Sequence, residues 1–260
     1  QRQMCIRDSA WRALSQWRSS WLSREGVFAV LSYLPAGAFC VSFLIPTPFN
    51  SIIDIICLLT IAFSLATVFC TAKIYASLKT IRQWNHLLVV PVYLIIGLFD
   101  GAIFLMVLLT IIDGLQFFQL NYFIIFLGAV AGLAKILYWW SIDSSQSQSN
   151  TSTATGLGSS NKSVSMLDAP TTSETFIMRE MGFAIARKHS RRLRLITILT
   201  LSIIPIIIIF LMTQPIALVS PMVLGIIAIL FSYFGTIIER WLFFAEAKHV
   251  AMLYYGASKV

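Results

Sequence analysis

Few side chains in this 260-residue sequence can do chemistry, and their positions decide what kind. Four cysteines stand at Cys5, Cys40, Cys57 and Cys70, and three histidines at His86, His189 and His249. A zinc or iron–sulfur centre needs clustered thiolates. No two of these cysteines form a CxxC pair, so no metal site is assigned, and they read as small apolar residues of buried helices. A b-type haem needs two histidines at membrane depth on facing helices. All three histidines fall between apolar runs or at their ends, which leaves no place for such a haem. No phosphate-binding loop, nucleophile elbow, metalloprotease or dinucleotide fingerprint is present. No catalytic residue is assigned, and no redox cofactor is expected on this chain.

The acids are more suggestive. Glu25 sits in Ser23-Arg24-Glu25-Gly26, at the mouth of the first apolar run. A carboxylate there can take a proton from a lipid-soluble hydroquinone as it is oxidised. It also suits a helix start, with Ser23 as N-cap and Glu25 favoured by the helix dipole. Asp100 falls near the middle of the third run, where an ionisable group is costly and a functional candidate. It has no clear basic partner, because Lys135 is expected at a shallower depth, snorkelling to the interface. Protonation, or a bond to a neighbouring helix, would also explain Asp100. Asp54 and Asp113 fall near the other ends of their runs and read as solvated. In the last segment, Glu239 and Glu246 share a helical face with Phe243 between them. That face could line a quinone headgroup pocket or serve as an interfacial anchor.

The elements that must hold these residues are apolar helices. Of the residues, 58% are hydrophobic and only 12% charged, against about 25% charged in soluble domains. Six runs are long enough to cross a hydrocarbon core of about 30 Å: residues 27–45, 51–72, 88–112, 122–140, 195–212 and 216–238. The fold expected is all-α, a polytopic transmembrane helix bundle.

The formal net charge of +8 does not imply nucleic acid, because the basic residues lie in alternate connections. Arg12, Arg18 and Arg24 precede the first run, and Lys73, Lys79 and Arg82 follow the second. Lys162, Arg179, Arg187, Lys188, Arg191, Arg192 and Arg194 lie between the fourth and fifth, and Arg240, Lys248 and Lys259 end the chain. The intervening turns carry none. The positive-inside rule makes the basic loops and the C-terminus cytoplasmic. Trp139 and Trp140 read as an aromatic belt.

Residues 144–165, rich in Ser, Thr, Gln and Gly, read as a flexible cytoplasmic linker. Phe176, Ile177, Met181, Ala184 and Ile185 recur at helical spacing among basic residues. They suggest an amphipathic helix at the inner membrane surface. Residues 1–9 (QRQMCIRDS) resemble read-through of a sequencing adapter and are set apart from the membrane domain at 10–260.

Several segments together resemble the dimethyl sulfoxide reductase membrane anchor family, DmsC. They are residues 10–25 (AWRALSQWRSSWLSRE), 73–78 (KIYASL) with 82–86 (RQWNH), 181–183 (MGF) with 186–189 (ARKH), and 239–244 (ERWLFF). The resemblance implies an eight-helix anchor of which six helices are visible here. It implies partners too: an iron–sulfur electron-transfer subunit and, through it, a molybdopterin catalytic subunit. Quinol would be the substrate, oxidised near the junction with the iron–sulfur subunit in anaerobic respiration at the bacterial inner membrane. The family's quinol-associated Glu maps onto Glu25, and its partner His would lie upstream of Ala10. The quinol-binding set implied is Glu25, Arg24, Trp21, His86 and Arg240.

One departure concerns orientation. Better-known members place their catalytic side in the periplasm, whereas here the Glu25 side is the basic one. An anchor of a polysulfide or nitrite reductase-type complex is the near alternative. A small-solute transporter is the distant one, which would show broken helices and midplane polar groups. Asp100 and the proline at Pro205 are its only signs.

Overall fold

The computed structural model describes residues 14–42, 50–113, 118–145, 188–214 and 220–250, with residues 152, 156, 164 and 253 singly. The expected amphipathic helix up to residue 187, and nearly all of the linker, lie outside the described residues.

Every described span is helical, as a chain crossing lipid requires, because no water is present to satisfy backbone groups. The helices are α1 (Trp21–Ser42), α2 (Asn50–Ala76), α3 (Val89–Asp113) and α4 (Phe118–Ser144). α5 (Ser190–Ile198) and α6 (Ile204–Met212) are joined by a π-helical turn (Leu199–Ile203), and α7 (Pro221–Ala245) follows. Among the described residues six spans result, each long and apolar enough to cross a membrane.

The ends differ from the expected boundaries for physical reasons. The last span begins at Pro221 rather than at residue 216. Ser220 caps the helix there, and Pro221 fills a position whose N–H needs no partner. The span then runs past residue 238, through Glu239 and Arg240 to Ala245, because both charges are paired inside the bundle. The first span starts at Trp21, ahead of the expected Val27, with the Ser20 hydroxyl accepting from Ser23 N at 3.4 Å.

The chain divides into two compact units, residues 1–77 and 78–260. In the first, α1 and α2 pack against each other in antiparallel register. Trp21 meets Phe69, Glu25 meets Thr71 and Phe28 meets Phe63. Cys70 and Ala72 are buried there; Cys57 is half-buried, and Cys40 is exposed rather than buried as expected.

The second unit is split by depth. One half, away from the basic connections, is an apolar core. Phe99, Ile103, Met106 and Val107 of α3 interlock with Ile124 of α4, Ile209 and Met212 of α6, and Ala228 of α7. The half nearer the basic connections holds the buried charges Lys135 and Glu239 among apolar and aromatic side chains such as Val92, Tyr138, Trp139 and Phe243. The π turn lies between the two halves. Pro205 has no N–H and its ring presses on the preceding turn, so the backbone widens just before it. The widened turn lies hard against α7. A Cβ added at Gly235 would stand 2.4 Å from Leu201 N, so only glycine fits there.

The segment between residues 78 and 88 closes the basic-loop end of this unit. Ile81 and His249 form an isolated bridge, Val250 N donates to Thr80 O at 3.2 Å, and Trp84 Nε1 donates to Phe243 O at 2.9 Å.

Candidate functional site

In the first unit the sequence places Trp21, Arg24 and Glu25 on the first turns of α1, and the fold gathers them. The Arg24 guanidinium lies 4.3 Å from the Trp21 ring centroid, a cation–π contact. Its Nε donates to Trp17 O at 2.8 Å and its Nη2 to Arg18 O at 2.7 Å, so it also staples the chain entering the helix. Ser23 is not the N-cap. It is buried, and its hydroxyl donates to Leu14 O at 3.2 Å, while Ser20 takes the capping place. Glu25 therefore stands beyond the first turn of α1, where the dipole's hold weakens.

The Glu25 carboxylate instead accepts from the Thr71 hydroxyl of α2 at 2.7 Å. Thr71 Oγ1 also lies 3.0 Å from Thr67 O, so one proton serves two acceptors. Phe69 packs edge-on against Trp21, and Lys73 sits 5.7 Å from the Phe69 ring centroid. The arrangement is a half-buried carboxylate with aromatic and cationic neighbours at the end of a helical hairpin.

His86 and Arg240 belong to the second unit, and each is engaged there. His86 Nδ1 accepts from Leu88 N at 3.2 Å, which leaves the protonated Nε2 to donate to Ser141 Oγ at 2.8 Å. Burial pushes the His86 pKa below the ordinary 6.5 and favours this neutral ring. Arg240 bonds Glu239 and lies 3.8 Å from the Tyr93 ring centroid.

Two expectations are corrected here. Lys135 does not snorkel. It is 1% exposed and forms an ion pair with Glu239, which is fully buried. Its ammonium lies 4.2 Å from the Tyr138 ring centroid and 5.0 Å from that of Trp139. Placed about nine residues from the end of α4, it is about 13 Å deep along the helix, and an internal carboxylate is nearer than the interface. Glu239 accordingly lines no open pocket. It is held by Lys135 and Arg240 together.

Asp100, by contrast, has the bond to a neighbouring helix that its position allowed. The Ser232 and Thr236 hydroxyls of α7 donate to its two oxygens, Thr236 at 2.8 Å.

A cluster that the sequence did not reveal lies at the surface of the second unit. Arg194 bridges Asp143 at 2.5 Å and Glu246 at 2.8 Å. With Arg82, Gln83, Ser190 and Lys248 these residues line a cleft of about 460 Å³. Arg82 Nη1 donates to Ser145 O at 2.8 Å, where α4 ends. The only signal in the sequence was charge of both signs at three span ends on the same side.

Comparison with known proteins decides the family. The DMSO reductase anchor subunit (DmsC) family matches residues 5–256. This chain belongs to the DMSO reductase anchor subunit family. It is a multi-pass membrane protein and an anchor subunit, and such an anchor works with a catalytic subunit. The chain is also 31% identical over 262 residues to a sulfite dehydrogenase subunit of Allochromatium vinosum, covering 95% of this chain and 78% of the relative. No solved structure matches it.

Proposed function

We propose that this anchor oxidises quinol for a molybdopterin-containing DMSO reductase-type complex. Electrons pass to an iron–sulfur subunit and through it to the catalytic subunit. Quinol gives up two electrons and two protons as it becomes quinone, and this chain's part is to bind it and accept a proton. The family match over residues 5–256 carries the reading.

The half-buried Glu25 supports it. A carboxylate already tied to Thr71 is fixed in orientation, and its free oxygen can accept a hydroquinone proton. Trp21 offers a flat face for a quinone ring, and Arg24 a positive charge beside the oxyanion that deprotonation creates. His86 and Arg240, the other members the resemblance implies, lie in the second unit and are treated there by themselves. His86 is the weaker member, since both ring nitrogens are already bonded. The complex sits in the bacterial inner membrane, with the basic loops in the cytoplasm by the positive-inside rule.

The relative named as part of a sulfite dehydrogenase favours a second reading, in which electrons run the other way. A dehydrogenase partner would oxidise its substrate, and the anchor would reduce quinone to quinol, taking up two protons. Purifying the complex through a tag on this chain separates the two. The first reading expects co-purified iron–sulfur and molybdopterin subunits and oxidation of added quinol with dimethyl sulfoxide. Sulfite-dependent quinone reduction alone selects the second, and a chain that purifies without such partners contradicts both. Reporter fusions at Pro48 and Asn150 test orientation: Asn150 is expected inside, and a reporter active outside at Asn150 reverses the assignment.

A further inference from the structure

Asp100 lies about 16 Å along α3 from the helix start at Val89, near mid-membrane, and the quinol reading does not use it. Three observations concern it. Its two carboxylate oxygens accept from two hydroxyls, Ser232 and Thr236, and a hydroxyl can hand on a proton as well as donate one. Beyond Asp100, away from the basic loops, the unit is closed by Ile103, Met106, Val107, Ile124, Ile209 and Met212. Toward the basic loops, α7 continues as a polar stripe. Ser232, Thr236 and Glu239 follow one another at helical spacing, the part-exposed Arg240 follows Glu239, and Glu246, just past the end of α7 and beyond the buried Phe243, lines the open cleft.

The charges around Asp100 also matter. Lys135 and Arg240 are both bound to the single carboxylate of Glu239. One buried cation, one part-buried cation and one anion leave an excess positive charge, which an ionised Asp100 balances. Along the way, Arg240 Nη1 and Trp139 Nε1 are buried donors with no hydrogen-bond partner among the described residues, and such groups hold water where there is room for it.

We propose that Asp100 is a proton-exchanging carboxyl reached only from the basic-loop face. The path runs from the basic-loop end past the part-exposed Arg240 and then Glu239 to Thr236 and Ser232 of α7, and the apolar core shuts it off from the opposite face. The step is a simple exchange: the carboxylate takes a proton from water on the basic-loop side, and the acid returns it to that side. It is a half-channel, not a transmembrane path, and it stands independently of the quinol reading.

The intact complex in sealed vesicles, treated with a membrane-permeant carbodiimide, tests this without any substitution. The reagent modifies protonated carboxyls in apolar surroundings, and mass spectrometry locates the adduct. The expected result is labelling at Asp100 that rises about tenfold for each unit of acidification on the basic-loop side, above the titration point. The same change on the other side should leave it unaltered. Absence of labelling at Asp100, labelling indifferent to pH, or labelling that follows pH on the opposite side would each overturn the proposal.

Discussion

Glu239 ties α7 to α4 through the buried ammonium of Lys135. It pairs with Lys135 and Arg240 at once with no solvent access of its own. Removing it strands the buried Lys135 and the part-buried Arg240, whereas removing Lys135 leaves the Glu239–Arg240 pair neutral. Breaking a buried pair by deleting one partner costs about 3–5 kcal/mol. Glu239→Gln is therefore expected to lose most folded protein in detergent, and Lys135→Met to lose much less. Thermal unfolding of the two variants checks this, and the reverse order would contradict the pairing.

His86 gives a pH-dependent prediction at the same scale. Its folded pKa lies below 6.5 because burial disfavours the charged ring. The unfolded state thus binds the proton more readily. The stabilisation is complete above 6.5 and is lost as the pH falls below it toward the folded value. Amide protection at Trp84 and Val89, corrected for the intrinsic pH dependence of exchange, should drop between about pH 7.5 and about pH 5.5. Unchanged protection would show that the turn does not need Nδ1 as the acceptor for Leu88 N.

At the scale of elements, the decisive contact is between the π turn and α7. Leu201 backbone fills the space where any side chain at Gly235 would stand. Gly235→Ala is expected to push the fifth and last spans apart at a cost of about 1–3 kcal/mol, read as a lower thermal midpoint. A midpoint equal to that of the unaltered protein would mean that the helices slide past each other freely.

The sequence reveals the elements well and their contacts poorly. Six apolar runs and alternating charge suffice for the spans, because length and hydropathy alone decide what crosses lipid. The widened turn is not legible, since Pro205 shows that a helix must adjust but not how. Lys135 is misplaced by sequence reasoning for a related reason: hydropathy gives depth, not the partner waiting at that depth. Glu239 and Arg240 end an apolar run and so read as lying near a surface, yet their pairing lets the helix carry them inside. The Thr71–Glu25 bond joins residues far apart in the chain, which no local spacing announces.

For the whole molecule, the two units differ in how they are built. The first is a hairpin whose spans bury almost nothing internally, and the second holds a core and a charged interior. A two-helix unit with so much exposed apolar surface suits lipid or a neighbouring protein. The proposed quinol carboxylate lies on it, whereas the buried charges lie in the other unit. The central claim, that Glu25 accepts a proton from quinol, is tested most directly by Glu25→Gln in the intact purified complex. Quinol oxidation is expected to fall by about a hundredfold, the usual contribution of a positioned base, with iron–sulfur and molybdenum content unchanged. Oxidation at the unaltered rate, with the complex intact, would contradict it.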